Sequence, residues 1–131
     1  MSTAHSNKKL THKDMAISFL RLVTSGNVRE AYAQHVGPTF RHHNPYFKGD
    51  AESLMSGMEE NDAKFPNKLF EIQHALEGDD HVVIHSHVRL KPDERGFAAV
   101  HIFRFHNDRI VELWDVVQPV PEESPNEYGM F

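Results

Sequence analysis

The chain has 131 residues, with 14 Lys and Arg against 19 Asp and Glu, a formal charge of −5, 11 histidines and no cysteine. That length suits one domain, 1–131, burying about two thirds of its unfolded surface in a single core. The lack of cysteine excludes disulfides, thiol nucleophiles and thiolate zinc sites, the scattered basic residues argue against a nucleic-acid partner, and no apolar run approaches the length of a membrane span. Residues 1–9 are polar and carry no apolar leader segment, so they are expected to be flexible and the protein cytoplasmic.

Thr11, with Asp14 three residues later, resembles a capping box and opens a helix whose apolar stripe is Met15, Ala16, Phe19, Leu20 and Val23. That helix ends near Ser25-Gly26. Asn27 caps a short second helix with Ala31, Tyr32 and His35 on one face, closed by Gly37-Pro38. Thr39 to His43 reads as a brief extended segment, turned by Asn44-Pro45. Asp50 caps a third helix carrying Leu54, Met55 and Met58, weakened by Gly57 and cut off by Pro66. Strands follow: Leu69 to Glu77, a turn at Gly78-Asp79-Asp80, His81 to Leu90, a loop from Lys91 to Gly96, and a hairpin from Ala99 to Gln118. Three helices before a meander of about four strands predict an α+β fold. A curved sheet packed on its concave face by the N-terminal helices encloses a pocket, and residues 119–131 form a C-terminal tail.

The hairpin holds the most telling residue. Alternation puts Val111, Leu113, Asp115 and Val117 on one face and Ile110, Glu112, Trp114 and Val116 on the other. Asp115 then has only aliphatic neighbours on its own strand face, which disfavours ionisation and suits a general acid or base; a strand end or a salt bridge is the competing reading. Register decides what faces it. A two-residue turn at Asn107-Asp108 would set His101 opposite Trp114, whereas a three-residue loop, His106 to Asp108, brings His101, Phe103 and Phe105 onto the Asp115 face. The second register is preferred. It gathers Phe103, Phe105, Val111, Leu113 and Val117 on one apolar face with His101 and Asp115 as its polar members, the usual composition of a small-molecule site.

The segments His43-Asn44-Pro45 with Gly49, His85-Ser86-His87, Asp93-Glu94-Arg95-Gly96, Ile102-Phe103-Arg104, Ile110-Val111-Glu112, Trp114-Asp115-Val116, Pro119-Val120-Pro121 and Met130-Phe131 together resemble SnoaL-like proteins. These are relatives of polyketide cyclases within the nuclear-transport-factor-two-like superfamily. The resemblance covers nearly the whole chain after Met15. It implies a cone-shaped, curved mixed sheet around a central pocket, a homodimer and no cofactor. It also implies an acid/base role for Asp115 on an aldol-type step, with His101 beside it. His43, Asn44, His87, Phe103, Phe105 and Leu113 complete the expected substrate-binding set. The leading reading is therefore a cyclase, isomerase or lyase acting on a small to medium, partly hydrophobic carbonyl compound.

Two other readings stay open. The same fold serves as a non-catalytic small-molecule-binding or dimerisation module. A divalent-metal protein could draw on His85, His87, His101 and Asp115, but no dedicated ligand motif supports it and no metal is expected. Asn44 before Pro45 also fits simple turn chemistry. Trp114, Tyr32 and Phe40 read as core or interface packing, and Arg104 and Glu112 as a cross-strand ion pair on the hairpin's other face. The apolar outer residues Val100, Ile102, Ile110, Trp114 and Val116 predict an isologous homodimer through that face, with Tyr128 to Phe131 folded against the body.

Overall fold

A computed structural model describes residues 9–131; the rest of the N-terminal segment expected to be flexible lies outside the described residues. The elements are α1 (His12–Thr24), α2 (Val28–His35), β1 (Val36–His42), α3 (Ala51–Lys64), β2 (Leu69–Gly78), β3 (His81–Arg89), β4 (Phe97–His106) and β5 (Arg109–Pro119). Thr11 caps α1 in a true capping box, its hydroxyl accepting from the Asp14 N–H while the Asp14 carboxylate accepts from the Thr11 N–H. Asp50 caps α3 by accepting from the Ser53 N–H. Asn27 caps α2 without a side-chain bond to the helix. At the other end of α2, Arg109 donates to the carbonyls of Ala33 and Gln34 at 3.1 and 2.7 Å, a cation satisfying the exposed last turn.

The five strands lie in the order β1-β5-β4-β3-β2 in a curved mixed sheet, parallel only where β1 meets β5. The helices cover one face of this sheet. Phe19, Tyr32, Phe40, Ile84, Phe103, Phe105, Ile110 and Leu113 form the core between helices and sheet. Phe19 packs edge-on to Phe103 at 5.9 Å and tilted on Tyr32 at 5.4 Å, pairs that add about 1 kcal/mol each beyond burial. Among the described residues no helix is long and apolar enough to cross a membrane.

The structure departs from the sequence reading at two places. β1 begins at Val36, not Thr39, because Gly37 and Pro38 lie in an irregular stretch between the paired residues Val36 and Arg41. Proline lacks the N–H a regular ladder needs, and an edge strand with a bulge tolerates it. The hairpin turn is also shorter than expected. His106 pairs with Arg109 across a two-residue turn whose Asn107 and Asp108 both have positive φ, 52° and 58°, the conformation of a type I′ turn. The additional residue sits in the strand instead: Phe105 pairs with Ile110 and Arg104 with Glu112, leaving Val111 as a bulge. The bulge restores the register, so His101 does lie opposite Asp115. Its cost to the prediction is Ile110, which turns inward and is fully buried in the core rather than facing outward.

Candidate functional site

The Val111 bulge aims Leu113 and Asp115 at the helix-covered side of the sheet. Asp115 is only partly buried and lines a cavity of about 230 Å³ bounded by Val23, Leu54, Gly57 and Met58 from the helices and by Phe47 and Asn44 from the loop after β1. Its setting is less aliphatic than the strand pattern alone implies. Asn44 Nδ2 donates to Asp115 Oδ2 at 2.9 Å. The orientation of that amide is settled locally, because Asn44 Oδ1 already accepts from the Tyr46 N–H at 3.0 Å. Asn44 is thus both a turn residue and a clamp on the carboxylate.

Behind this pair lie two imidazoles, His42 buried and His101 partly buried. His101 faces Asp115 across the β4–β5 ladder, and its Nδ1 is buried with no hydrogen-bond partner. Burial pulls its pKa down and the Asp115 charge opposes that pull, so the ring is neutral at neutral pH. His42 is also held below the usual histidine range by burial, against the Asp115 and Asp50 charges. Its Nδ1 accepts from the Asn44 N–H at 3.1 Å, which puts the proton of the neutral ring on Nε2, a buried donor without a protein acceptor. Ser86 Oγ, on β3 one diagonal step from His101, is the third unpartnered polar atom on this side. Buried polar atoms are normally paired, so these three stand out, beneath the cavity and not among the residues that line it. The Tyr32 phenol, bonded to Met58 Sδ at 3.4 Å, is driven strongly upward by burial and by Asp115 and stays protonated.

The expected site residues divide. Asp115, His101 and Asn44 come together. Phe103, Phe105 and Leu113 share their side of the sheet but are sealed in the core, with exposures of 2 % or less, and do not reach the cavity. His43 and His87 lie on the opposite side. His43 stacks on Trp114 at 4.9 Å, with its Nε2 2.6 Å from Glu112 Oε2. His87 bonds to the Arg95 carbonyl at 2.8 Å and stacks on Phe131 at 4.1 Å. Strand alternation explains both placements: Phe40 is buried, so His42 and not His43 shares its face, and buried Ser86 turns His85 and His87 outward. The signal for His42 was legible in the Phe40-x-His42 pair. The same geometry separates His85 and His87 from His101 and Asp115, so those four cannot converge on one ion. Among the described residues no cluster of three or more His, Cys, Asp or Glu is placed to hold a metal.

The outer face carries its own polar cluster. Glu112, with a side chain only 6 % exposed, accepts from Arg41 Nε at 2.9 Å and Arg104 Nε at 3.0 Å and also meets His43. These bonds, Arg41 first, hold its carboxyl down at about 2 against the opposing effect of burial. The cross-strand Arg104–Glu112 pair read from sequence is present and has two further partners.

Comparison with known proteins gives a consistent picture. A family model for the SnoaL-like domain matches residues 16–113. No curated protein matches significantly. Among solved structures, an NTF2-like protein of unknown function from Cytophaga hutchinsonii superposes with a TM-score of 0.68 at 17% identity, over 86% of this chain and 95% of that one. A SnoaL-like protein of unknown function from Burkholderia thailandensis gives 0.68 at 18% identity, over 82% and 93%. A provisionally named polyketide cyclase from Acidithiobacillus ferrooxidans gives 0.64 at 18% identity, over 85% and 91%. At such identities these structures establish the shared fold.

Proposed function

The chain belongs to the SnoaL-like domain family, and on that premise we propose that it is an acid/base catalyst for a small carbonyl compound, using Asp115 to move a proton at the carbon next to the carbonyl. The observation that carries the reading is the state of Asp115: a carboxylate lining a largely apolar cavity, with Oδ2 held by Asn44 and Oδ1 without a partner among the described residues. In the forward step Asp115 takes the α-proton. The C–H electron pair moves into the carbon–carbon bond as the carbonyl becomes an enolate. The neutral His101 imidazole faces Asp115 from the buried side, and on this reading it turns toward the cavity to donate a hydrogen bond to the developing oxyanion. The proton on Asp115 then returns to carbon, or passes to the alkoxide oxygen formed when the enolate attacks a second carbonyl as in an aldol closure, which restores the carboxylate. No cofactor enters this scheme. The protein acts as an isologous homodimer through the outer sheet face, on this reading.

The test is exchange of α-protons of monocyclic ketones in D2O followed by NMR. Wild-type protein accelerates exchange, and Asp115→Asn, which keeps shape but lacks proton affinity, lowers it by on the order of a hundredfold with little change in ketone affinity. His101→Gln loses less, since an amide still donates one hydrogen bond. Wild-type protein that binds ketones but exchanges no α-proton between about pH 5 and 9 belongs instead to the binding-module reading, and the catalytic role of Asp115 falls.

A further inference from the structure

The cavity that Asp115 lines holds a second polar group, drawn from the last turn of α3 and the loop before β2. Asn61, Asp62 and Lys68 all line it. The Lys68 and Asp62 side chains are 6% and 10% exposed, and Lys68 Nζ lies 2.5 Å from Asp62 Oδ1. Lys68 also donates to Asn61 Oδ1. An ammonium carries three N–H groups, and these two bonds use two of them. On the other partner, Asp62 Oδ2 is buried and accepts nothing. A remaining donor and a remaining acceptor are therefore carried by two groups already in contact, on residues that line the cavity, with Asp62 Oδ2 itself buried beneath its surface.

We propose that Asp62 and Lys68, steadied by Asn61, form a subsite for a hydroxyl group of the ligand, so that the substrate class is a small hydroxylated carbonyl compound. The carbonyl half of this statement rests on the acid/base reading of Asp115; the hydroxyl half stands on the second cluster. A hydroxyl accepts from the third Lys68 N–H and donates to Asp62 Oδ2 at once, completing both. Charged groups and oxygens without a proton complete only one. A carboxylate has no proton to give and would bring a second negative charge against Asp62, an ammonium cannot accept from Lys68, and a keto or ether oxygen leaves Asp62 Oδ2 unpaired. Size narrows the class further. The cavity of about 230 Å³ is roughly half as large again as the ~150 Å³ space that takes benzene, which fits about ten non-hydrogen atoms. A single ring with a short carbonyl substituent fills it, and because the cavity is open on one side a larger compound would extend beyond it.

The test is titration calorimetry with acetophenone, its three hydroxy isomers, the corresponding methoxy ethers and the carboxy derivatives. At least one hydroxy isomer binds wild-type protein tenfold or more tighter than acetophenone, while its methyl ether and the carboxylates show no such gain. The double variant Lys68→Met with Asp62→Leu removes both charges together, so no ion is stranded in the wall, and the ratio of hydroxyacetophenone to acetophenone affinity falls to about one. The methyl ethers answer the same question in unaltered protein should that variant fail to fold. Equal binding of the hydroxy and unsubstituted ketones, a preference for carboxylates, a gain that survives in the ethers or the folded double variant, or no binding of any of these probes at millimolar concentration overturns the proposal. Hydroxyl preference without α-proton exchange keeps this subsite and removes the role of Asp115; exchange without hydroxyl preference does the reverse.

Discussion

Asn44 and Glu112 show how much one side chain's partners decide. Asn44 spends its oxygen on a turn and its amide nitrogen on Asp115, so the carboxylate is fixed by a residue whose own rotamer is fixed. Glu112 has no part in the cavity, yet it is the most strongly stabilised carboxylate on the outer face. Its pKa is about 2 in the folded protein against 4.5 for a free glutamate, so the stabilisation is complete above about pH 4.5 and is lost as the pH falls toward 2. Arg41 and His43 are solvent-accessible, 65% and 45% exposed, which reduces the effect to on the order of 2 kcal/mol. Urea unfolding of wild type and Glu112→Gln should therefore differ at neutral pH and converge as the pH falls to about 2 or below. A constant difference across that range would show that packing, and not charge, makes Glu112 matter.

At the scale of elements, Gly57 reads from sequence as a weak point in α3 and turns out to be a point of close approach. A Cβ on Gly57 would stand 2.4 Å from the Phe47 ring, and both residues line the cavity. Alanine gains about 1 kcal/mol of helix propensity there but must push Phe47 aside, and that ring sits in a loop with room to move. Gly57→Ala should keep or slightly raise the melting temperature while weakening or strengthening binding of a hydroxyacetophenone severalfold, through the displaced Phe47. Unchanged binding would mean that Phe47 is not a wall of the site. The hairpin teaches a related lesson. Its turn alone would have set His101 against Trp114, and the Val111 bulge, an element-level irregularity, rotates the remainder of β5 so that Asp115 and not Trp114 faces inward.

For the whole molecule the outer sheet face is the surface on which association turns. In-register residues Leu76, Val83, Ile102 and Trp114 form an apolar row across four strands, with Val100 and Val116 beside it. Leu76 and Val116 are 65% and 60% exposed in the single chain. Of the tail expected to fold back, Phe131 stacks on His87 and His85, whereas Tyr128 stays exposed, so the row itself is left uncovered. Sedimentation at micromolar concentration should give a dimeric mass, and Val116→Glu, which puts like charges across a two-fold contact, should shift it to the monomer. A monomeric wild type would remove the outer face as an interface.

Composition, caps and periodicity determined the α+β class, the three helices with their buried stripes, the strand meander and the special standing of Asp115, because each depends on residues close together in the chain. The Thr11–Asp14 box and the Phe19, Leu20, Val23 stripe needed no distant partner to be read. At β1 the neighbours His42 and His43 fall on opposite faces, and the buried Phe40 two residues before His42 marks which of them turns inward; on β3 all three histidines share the face opposite Val82, Ile84 and Val88, so alternation itself turns His87 outward. The Val111 bulge was invisible because an apolar strand with one extra residue looks like an apolar strand. Lys68 and Asp62 look like ordinary solvated charges in sequence, at a helix end and a loop. Only the closure of α3 over the curved sheet takes them out of water and pairs them, on residues that line the same cavity as Asp115.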